Sequence, residues 1–251
     1  MRAGARRRVA MLAALALSAS AWALASTEDP EQRFREANDL ARHGDLPKAE
    51  EGYRELRQAG AESTALYWNW AEVARARGAD GEALWALLRA RERSPWDGAV
   101  VREIERTRES LNLDKAELNP EPLAALGRWS RALRLDLVAL VLLLLSVAAH
   151  AAGRWLTAFG GLGRAGWVLA VLGLLVAALP LGAALARPTG VVVRREAPLL
   201  DAASPMAEVV GRLREGEVLP VLETSGDWCR VQDSSGARGW AFKDDVPLVG
   251  S

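Results

Sequence analysis

The pattern of hydrophobic and polar positions changes three times along this chain of 251 residues. Residues 30–113 are predicted to be rich in helix and show few strand signals. Two long apolar runs follow, and beyond Arg187 short apolar runs are separated by Gly, Pro, Asp and Ser. This order predicts a multidomain membrane protein with an all-α region, two transmembrane helices and a small all-β barrel.

The two apolar runs, "LDLVALVLLLLSVAAHAAG" and "AGWVLAVLGLLVAALPLGAALA", are long enough to span a bilayer. A hydrocarbon core about 30 Å thick needs roughly 20 helical residues. We therefore predict transmembrane helices at 135–153 and 165–186. The alternative is a buried hairpin in a soluble protein, which needs a larger surrounding core than this chain supplies. Before the first run, residues 114–134 contain two prolines that break a helix, so they are predicted to form a linker at the membrane surface.

The first 25 residues have the composition of an export signal. A basic segment that ends at Arg8 precedes an apolar core, residues 9–17, and an A-x-A motif that ends at Ala25. We predict that this signal peptide, residues 1–25, is cleaved after Ala25, and an uncleaved N-terminal anchor is the alternative. The chain that follows is predicted to be translocated in either case.

The loop between the two apolar runs, residues 154–164, suits the cytoplasmic side because it holds two Arg and no acidic residue. Three Arg also precede the first run, which argues for the opposite orientation, and the export signal decides between the two. We therefore predict a membrane protein with two spans. Its soluble regions, 26–134 and 187–251, are both predicted to be extracytoplasmic.

An offset of 34 residues relates two parts of the helical region. Small residues recur where packed helices cross, and a glycine recurs where the chain turns. The aligned pairs are Ala37 with Ala71, Gly44 with Gly78, Ala49 with Ala83, Tyr53 with Leu87 and Phe34 with Trp68. Each unit is predicted to be a helical hairpin that must stack on another to cover its apolar face. Two units fall below the usual three, so a partner or the membrane surface is expected to complete the fold.

The stretch "TALYWNWAEVARARGADGEALWALLRARERSP" resembles a tetratricopeptide repeat. Its matching signature positions are Tyr67, Trp70, Ala71, Gly78, Ala83, Leu87, Ala90 and Pro95. The resemblance implies a tetratricopeptide repeat domain at 26–113, with repeats at about 30–63 and 64–97 and a capping helix at 99–111.

In that family the first helix of each unit lines a groove that binds extended peptides. The resemblance therefore implies a partner-binding groove formed by Phe34, Asn38, Trp68, Glu72 and Arg75. The alternative for Trp68 is that it only fills the gap between repeats. Trp70, Trp85 and Trp96 are predicted to serve packing.

Residues 189–248 resemble a bacterial SH3 domain. The motifs are "VVVRREAP" for the first strand, "REGEVLPVLE" for the middle hairpin, "DWCRV", and "GARGWAF" with its closing Gly-Trp. The resemblance implies an SH3-like barrel with a shallow aromatic groove for peptides or peptidoglycan fragments. Trp228 and Trp240 are the candidate ligand residues, and the alternative for Trp240 is a place in the core.

Cys229, the only cysteine, lies in a predicted hairpin whose turn contains Gly236. Strand alternation puts Cys229 and Val231 on one face and Trp228 and Arg230 on the other. We predict a structural thiol rather than a reactive one, and an intermolecular disulfide is the alternative role.

Composition restricts the chemistry. Lys and Arg total 32, as do Asp and Glu, so no net charge favours nucleic acid as a partner. One Cys and two distant His exclude a disulfide framework and make a thiolate or histidine metal site improbable. We find no catalytic constellation, so the chain is predicted to be a non-enzyme that needs no cofactor or metal.

The order of export signal, repeats, paired spans and SH3-like domain resembles the BatE family of bacterial aerotolerance operons. That resemblance implies a scaffold or adaptor of the bacterial inner membrane, with both soluble regions in the periplasm. It would bind protein partners through its tetratricopeptide repeats in a stress-related envelope assembly. The implied partners are von Willebrand factor type A membrane proteins and a MoxR-type ATPase system. The alternative function is a cell-wall sensing or targeting protein that binds peptidoglycan through its SH3-like domain.

Overall fold

The computed structural model describes residues 29–113, 130, 133–155, 162–184 and 187–249. The predicted signal peptide, most of the linker and most of the loop between the apolar runs lie outside these residues. The chain divides into two compact units, Met1–Glu62 and Ser63–Ser251.

The described residues form seven helices and then six strands. The helices are α1 Pro30–Arg42, α2 Leu46–Gln58, α3 Thr64–Ala76, α4 Asp80–Arg93, α5 Gly98–Ser110, α6 Leu135–Trp155 and α7 Leu162–Ala184. The strands are β1 Thr189–Val191, β2 Glu196–Leu200, β3 Val209–Arg214, β4 Val218–Ser225, β5 Trp228–Gln232 and β6 Arg238–Phe242.

The first unit contains a helical hairpin of α1 and α2. The Asp29 side chain caps α1 by accepting a hydrogen bond from the Glu31 backbone N–H at 3.1 Å. Gly44 ends the turn with φ 82°, a left-handed conformation that glycine adopts without strain. Ala37 and Ala49 are fully buried, so the two helices cross closely where the sequence places small residues.

The second unit begins with an equivalent hairpin of α3 and α4. Ser63 caps α3 by accepting from the Leu66 backbone N–H at 3.0 Å, and Gly78 turns the chain with φ 73°. Ala71 and Ala83 are again fully buried. The predicted pair of helical hairpins with glycine turns is therefore confirmed, and the predicted helix after them is present as α5.

One predicted packing role is wrong. Trp70 and Trp85 are buried as expected, but Trp96 is 56% exposed. It lies in the short connection between α4 and α5, where the chain leaves the helical core, so its ring cannot fill an interior position.

One helix among the described residues could cross a membrane by its length and composition. Its apolar part, Leu135–Ala152 of α6, has a mean hydropathy of 2.3. In the described part of α7 the apolar stretch is shorter, Arg164–Leu179. The structure therefore supports one candidate transmembrane helix, and the second crossing stays a prediction.

Helices α6 and α7 pack against each other in opposite directions. The Ser146 hydroxyl donates to the Gly166 carbonyl at 2.8 Å, and a Cβ on Gly173 would lie 3.1 Å from the Leu143 side chain. Large apolar side chains point outward from both helices. They are Leu137, Val138, Leu140, Val141, Leu144, Leu145 and Val147 on α6, and Trp167, Val168, Val171, Leu172, Leu174 and Leu175 on α7.

The strands form an antiparallel sheet in the order β1-β4-β5-β6-β2-β3. We refer to residues 189–249 as the β-domain; it begins five residues after the end of α7. Its core contains Val192, Ala197, Leu199, Leu213, Leu219, Val221, Cys229, Val231, Ala241 and Val246. The predicted small all-β domain is confirmed, and so is the Gly236 turn, which has φ 89°.

Candidate functional site

In the first unit, two of the predicted groove residues contact a buried tyrosine. The Tyr53 hydroxyl donates to the Asn38 side-chain oxygen at 2.8 Å, and the Phe34 and Tyr53 rings lie 6.3 Å apart. Burial raises the pKa of Tyr53 to about 12. Phe34 and Asn38 therefore help to pack α1 against α2, and each keeps only part of its surface exposed.

In the second unit, α3 carries the other three predicted groove residues. Trp68 is half-buried and Glu72 is exposed. Arg75 forms ion pairs with Glu72 at 3.0 Å and with Glu103 of α5 at 2.7 Å. Arg75 therefore joins α3 to α5, while Trp68 and Glu72 keep surface that a partner can contact.

An aromatic cluster fills the space between α3 and α4. Trp70 stacks on Tyr67 with ring centres 6.2 Å apart, and Trp85 meets both rings edge-on at 5.1 and 5.8 Å. The Trp70 indole N–H donates to the Glu82 carboxylate at 2.8 Å. This cluster is a structural core that is already filled, because all three rings are at most 3% exposed.

Strands β5 and β6 place aromatic and basic side chains on the outer side of the β-domain. Alternate residues of each strand are buried, so the residues between them lie on the opposite, solvent-facing side. The opposed pairs are Trp228 with Phe242, Arg230 with Trp240, and Gln232 with Arg238. We refer to these six residues as the aromatic face, and both predicted ligand residues, Trp228 and Trp240, belong to it.

The aromatic face combines flat apolar surface with positive charge. Trp228 and Phe242 meet edge-on with ring centres 5.4 Å apart, and Trp240 is half-exposed rather than buried in the core. Arg230 lies 3.9 Å from Glu223 of the neighbouring strand, a distance typical of a weak surface ion pair. The face offers ring surfaces for stacking and guanidinium groups for carboxylates.

An open cavity of about 240 Å³ adjoins the aromatic face at Gln232. Pro220 supplies apolar wall, and Asp233 lies beside Gln232 on the lining. The Gln232 side-chain oxygen accepts from Arg238 at 3.3 Å, so the amide is held in place between the face and the cavity. A ligand on the face therefore has room to extend into this cavity.

Sequence reasoning missed Phe242 as a surface aromatic. The signal was present in "GWAF", because strand alternation puts the residue two positions after Trp240 on the same side. Phe242 is 37% exposed and completes the pair with Trp228.

Cys229 is fully buried in the core of the β-domain, together with Val231 on the same side of β5. Its Sγ contacts the Ala241 carbonyl oxygen at 3.5 Å. Burial raises the pKa of the thiol to about 11. A neutral, enclosed thiol does not suit a nucleophile or a disulfide with a second chain.

We expect native protein to resist alkylation at Cys229, because the reactive thiolate is scarce at pH 8 and the sulfur is enclosed. The measurement is maleimide modification followed by mass spectrometry, before and after unfolding in denaturant. Native protein should react at least 100-fold more slowly than unfolded protein. Equal rates would contradict the burial and would reopen the disulfide alternative.

A family profile described as the bacterial SH3 domain matches residues 193–246. The match begins after β1 and includes the whole aromatic face. The comparisons with curated proteins and with solved structures gave no match to the chain. The resemblance that the sequence motifs carried is therefore confirmed for this domain: residues 193–246 match the bacterial SH3 domain family.

Proposed function

We propose that this protein is a non-enzymatic, membrane-anchored adaptor that binds a cell-envelope ligand through the aromatic face of its β-domain. The observation that carries the proposal is the row of opposed aromatic and basic side chains on β5 and β6. The family match supports it, since bacterial SH3 domains commonly bind peptidoglycan or proteins.

Peptidoglycan has the chemistry that the aromatic face would recognise. Its sugar rings present apolar faces that can stack on Trp228 and Trp240. Its stem peptides carry carboxylates, which Arg230 and Arg238 are positioned to pair with. Both arginines are exposed, so they remain accessible to a ligand in solution.

The outer surfaces of α6 and α7 support a membrane anchor. Both helices direct rows of large apolar side chains away from each other, and water solvates such rows poorly. Lipid would cover these rows on both helices, as a two-span anchor requires. Together with the predicted export signal, this arrangement supports the proposal that the soluble regions lie on the periplasmic side of the inner membrane.

Replacing Trp228 and Phe242 together with alanine is expected to weaken binding to purified sacculi about tenfold or more, because the variant removes two of the three aromatic rings of the face. The measurement is co-sedimentation of the detergent-solubilised full chain. Intact protection of Cys229 from maleimide shows that the variant is folded. Trp68→Ala is the matched control, since it removes an indole from α3 and should leave sedimentation unchanged. The proposal fails if the natural chain does not sediment with sacculi.

A second candidate function is a protein scaffold of the BatE type, and it is favoured by the partly exposed Trp68 and Glu72 on α3. Helical hairpins of this kind would hold extended segments of partner proteins, such as the von Willebrand factor type A and MoxR-type proteins of the implied operon. The two functions are compatible. Loss of a protein partner with Trp68→Ala, while sacculus binding persists, would assign the helices to the scaffold role.

A further inference from the structure

Helix α4 is buried on more sides than is usual for a helix at the surface of a protein. A helix at the surface of a protein covers one apolar stripe and exposes the rest. In α4 all eight residues from Ala83 to Ala90 are buried, including Trp85 and Arg89. Something besides its hairpin partner α3 must therefore cover this helix.

The last residues of the β-domain contact α4 and cover part of it. The Trp85 indole N–H donates to the Leu248 carbonyl at 3.0 Å, and an Arg89 Nη1–H donates to the Val249 carbonyl at 2.7 Å. Arg89 Nε–H also donates to the Tyr67 hydroxyl at 3.1 Å. A buried guanidinium thus joins α3, α4 and the end of the β-domain.

A second set of contacts joins the start of α4 to the turn between β3 and β4. The Gly81 backbone N–H donates to the Glu215 carboxylate at 2.9 Å. A Cβ on Gly216 would lie 3.5 Å from Leu84 and 2.8 Å from Leu113. The turn therefore packs on α4 and on the short segment that follows α5.

The chain that precedes α6 and the chain that follows α7 meet at this turn. Leu113 is the last described residue before the linker, and the Gly216 N–H donates to the carbonyl of Val192, just beyond β1, at 2.7 Å. Residues on both sides of the membrane helices, Leu113 before α6 and Val192 after α7, therefore contact Gly216.

We infer that residues 63–113 and 187–249 form one discontinuous domain, into which the membrane helices α6 and α7 are inserted. The surface of α4 is a docking site, and its occupant is the chain's own β-domain. The β-domain therefore supplies cover that the α3–α4 hairpin lacks by itself. Contact between the two segments requires them to lie on one side of the membrane. Helices α6 and α7 must then both cross the bilayer or both stay out of it, and the apolar rows on both favour crossing.

This inference extends the two-span anchor of the proposed function but does not depend on the ligand of the aromatic face. Its first test uses the full chain with a site for a sequence-specific protease in the linker 114–129 and an affinity tag inserted directly after Ala25, so that the tag remains if the signal peptide is removed. After cleavage in mild detergent, the C-terminal fragment should stay bound with the N-terminal fragment at near one-to-one ratio. Release of the C-terminal fragment would overturn the inference.

The second test asks which side of the membrane each segment occupies. Glu72→Cys and Met206→Cys place single exposed thiols on α3 and on the β-domain, and Cys229 is enclosed. Both variants should react with a membrane-impermeant maleimide in intact spheroplasts to the same extent as after lysis. Reaction of one variant and protection of the other would refute a shared side. Protection of both thiols from the maleimide in intact spheroplasts would agree with a single domain on one side of the membrane, but it would contradict the periplasmic location in the proposed function.

Discussion

Replacing Arg89 with alanine is expected to lower the free energy of unfolding of the second unit by about 3 to 5 kcal/mol. The change removes a buried side chain and leaves the Tyr67 hydroxyl and the Val249 carbonyl without their donor. The loss should therefore contain a cavity contribution and a desolvation contribution. The measurement is denaturant unfolding in detergent, and the rate of Cys229 alkylation reports the unfolded fraction.

Arg93 offers a matched control on the same helix. The guanidinium groups of Arg89 and Arg93 both lie 5.3 Å from the centre of the Tyr67 ring. Arg93 is exposed, however, whereas Arg89 is buried and donates to the Val249 carbonyl at the end of the β-domain. Arg93→Ala should cost about 1 kcal/mol or less. Equal losses for the two variants would show that the contact with Val249 contributes little.

Replacing Gly81 with alanine is expected to separate the β-domain from α4, although alanine favours helix by about 1 kcal/mol over glycine. A Cβ at this position would lie 2.7 Å from the Val192 carbonyl oxygen and 3.0 Å from the Val193 Cα. Backbone atoms cannot move aside as a flexible side chain can, so the β-domain must shift. The expected cost is about 1 to 3 kcal/mol. In the chain cleaved at the linker, the C-terminal fragment should dissociate.

Gly98→Ala is the control for the Gly81 variant. Gly98 begins α5, and its added Cβ would meet only the end of the flexible Arg102 side chain at 3.2 Å. The same substitution should therefore leave the cleaved fragments together and leave stability equal or slightly higher. Retention of the C-terminal fragment in the Gly81 variant would mean that the β-domain tolerates the added methyl group.

Local signals allowed most of the element order to be predicted. Gly44, Gly78 and Gly236 lie in turns with positive φ, where a side chain would be strained, so their sequence positions predicted the turns. Alternation in "DWCRV" placed Cys229 and Val231 together on one side of β5, and the structure shows that this side is the buried one. Each of these signals acts within a few residues, so each could be read along the chain.

Contacts between distant residues could not be predicted in this way. Arg89 is a charged residue on a helix that resembles a repeat, and such residues are usually solvated. Its burial depends on Val249, which follows it by 160 positions, and no local pattern specifies that approach. The exposure of Trp96 was also missed. An aromatic residue near a helix end suggests packing, but the connection between α4 and α5 carries this ring away from the core.

The short connection between α7 and β1 limits how far this protein can reach. Four residues lie between Ala184 and Thr189, and a fully extended chain spans at most about 18 Å over the five steps from one Cα to the other. If α7 ends at the lipid surface, the β-domain is confined to a layer within a few nanometres of it. The adaptor would then sample newly exported envelope material as it leaves the bilayer, and the distant layers of the wall would lie beyond its range.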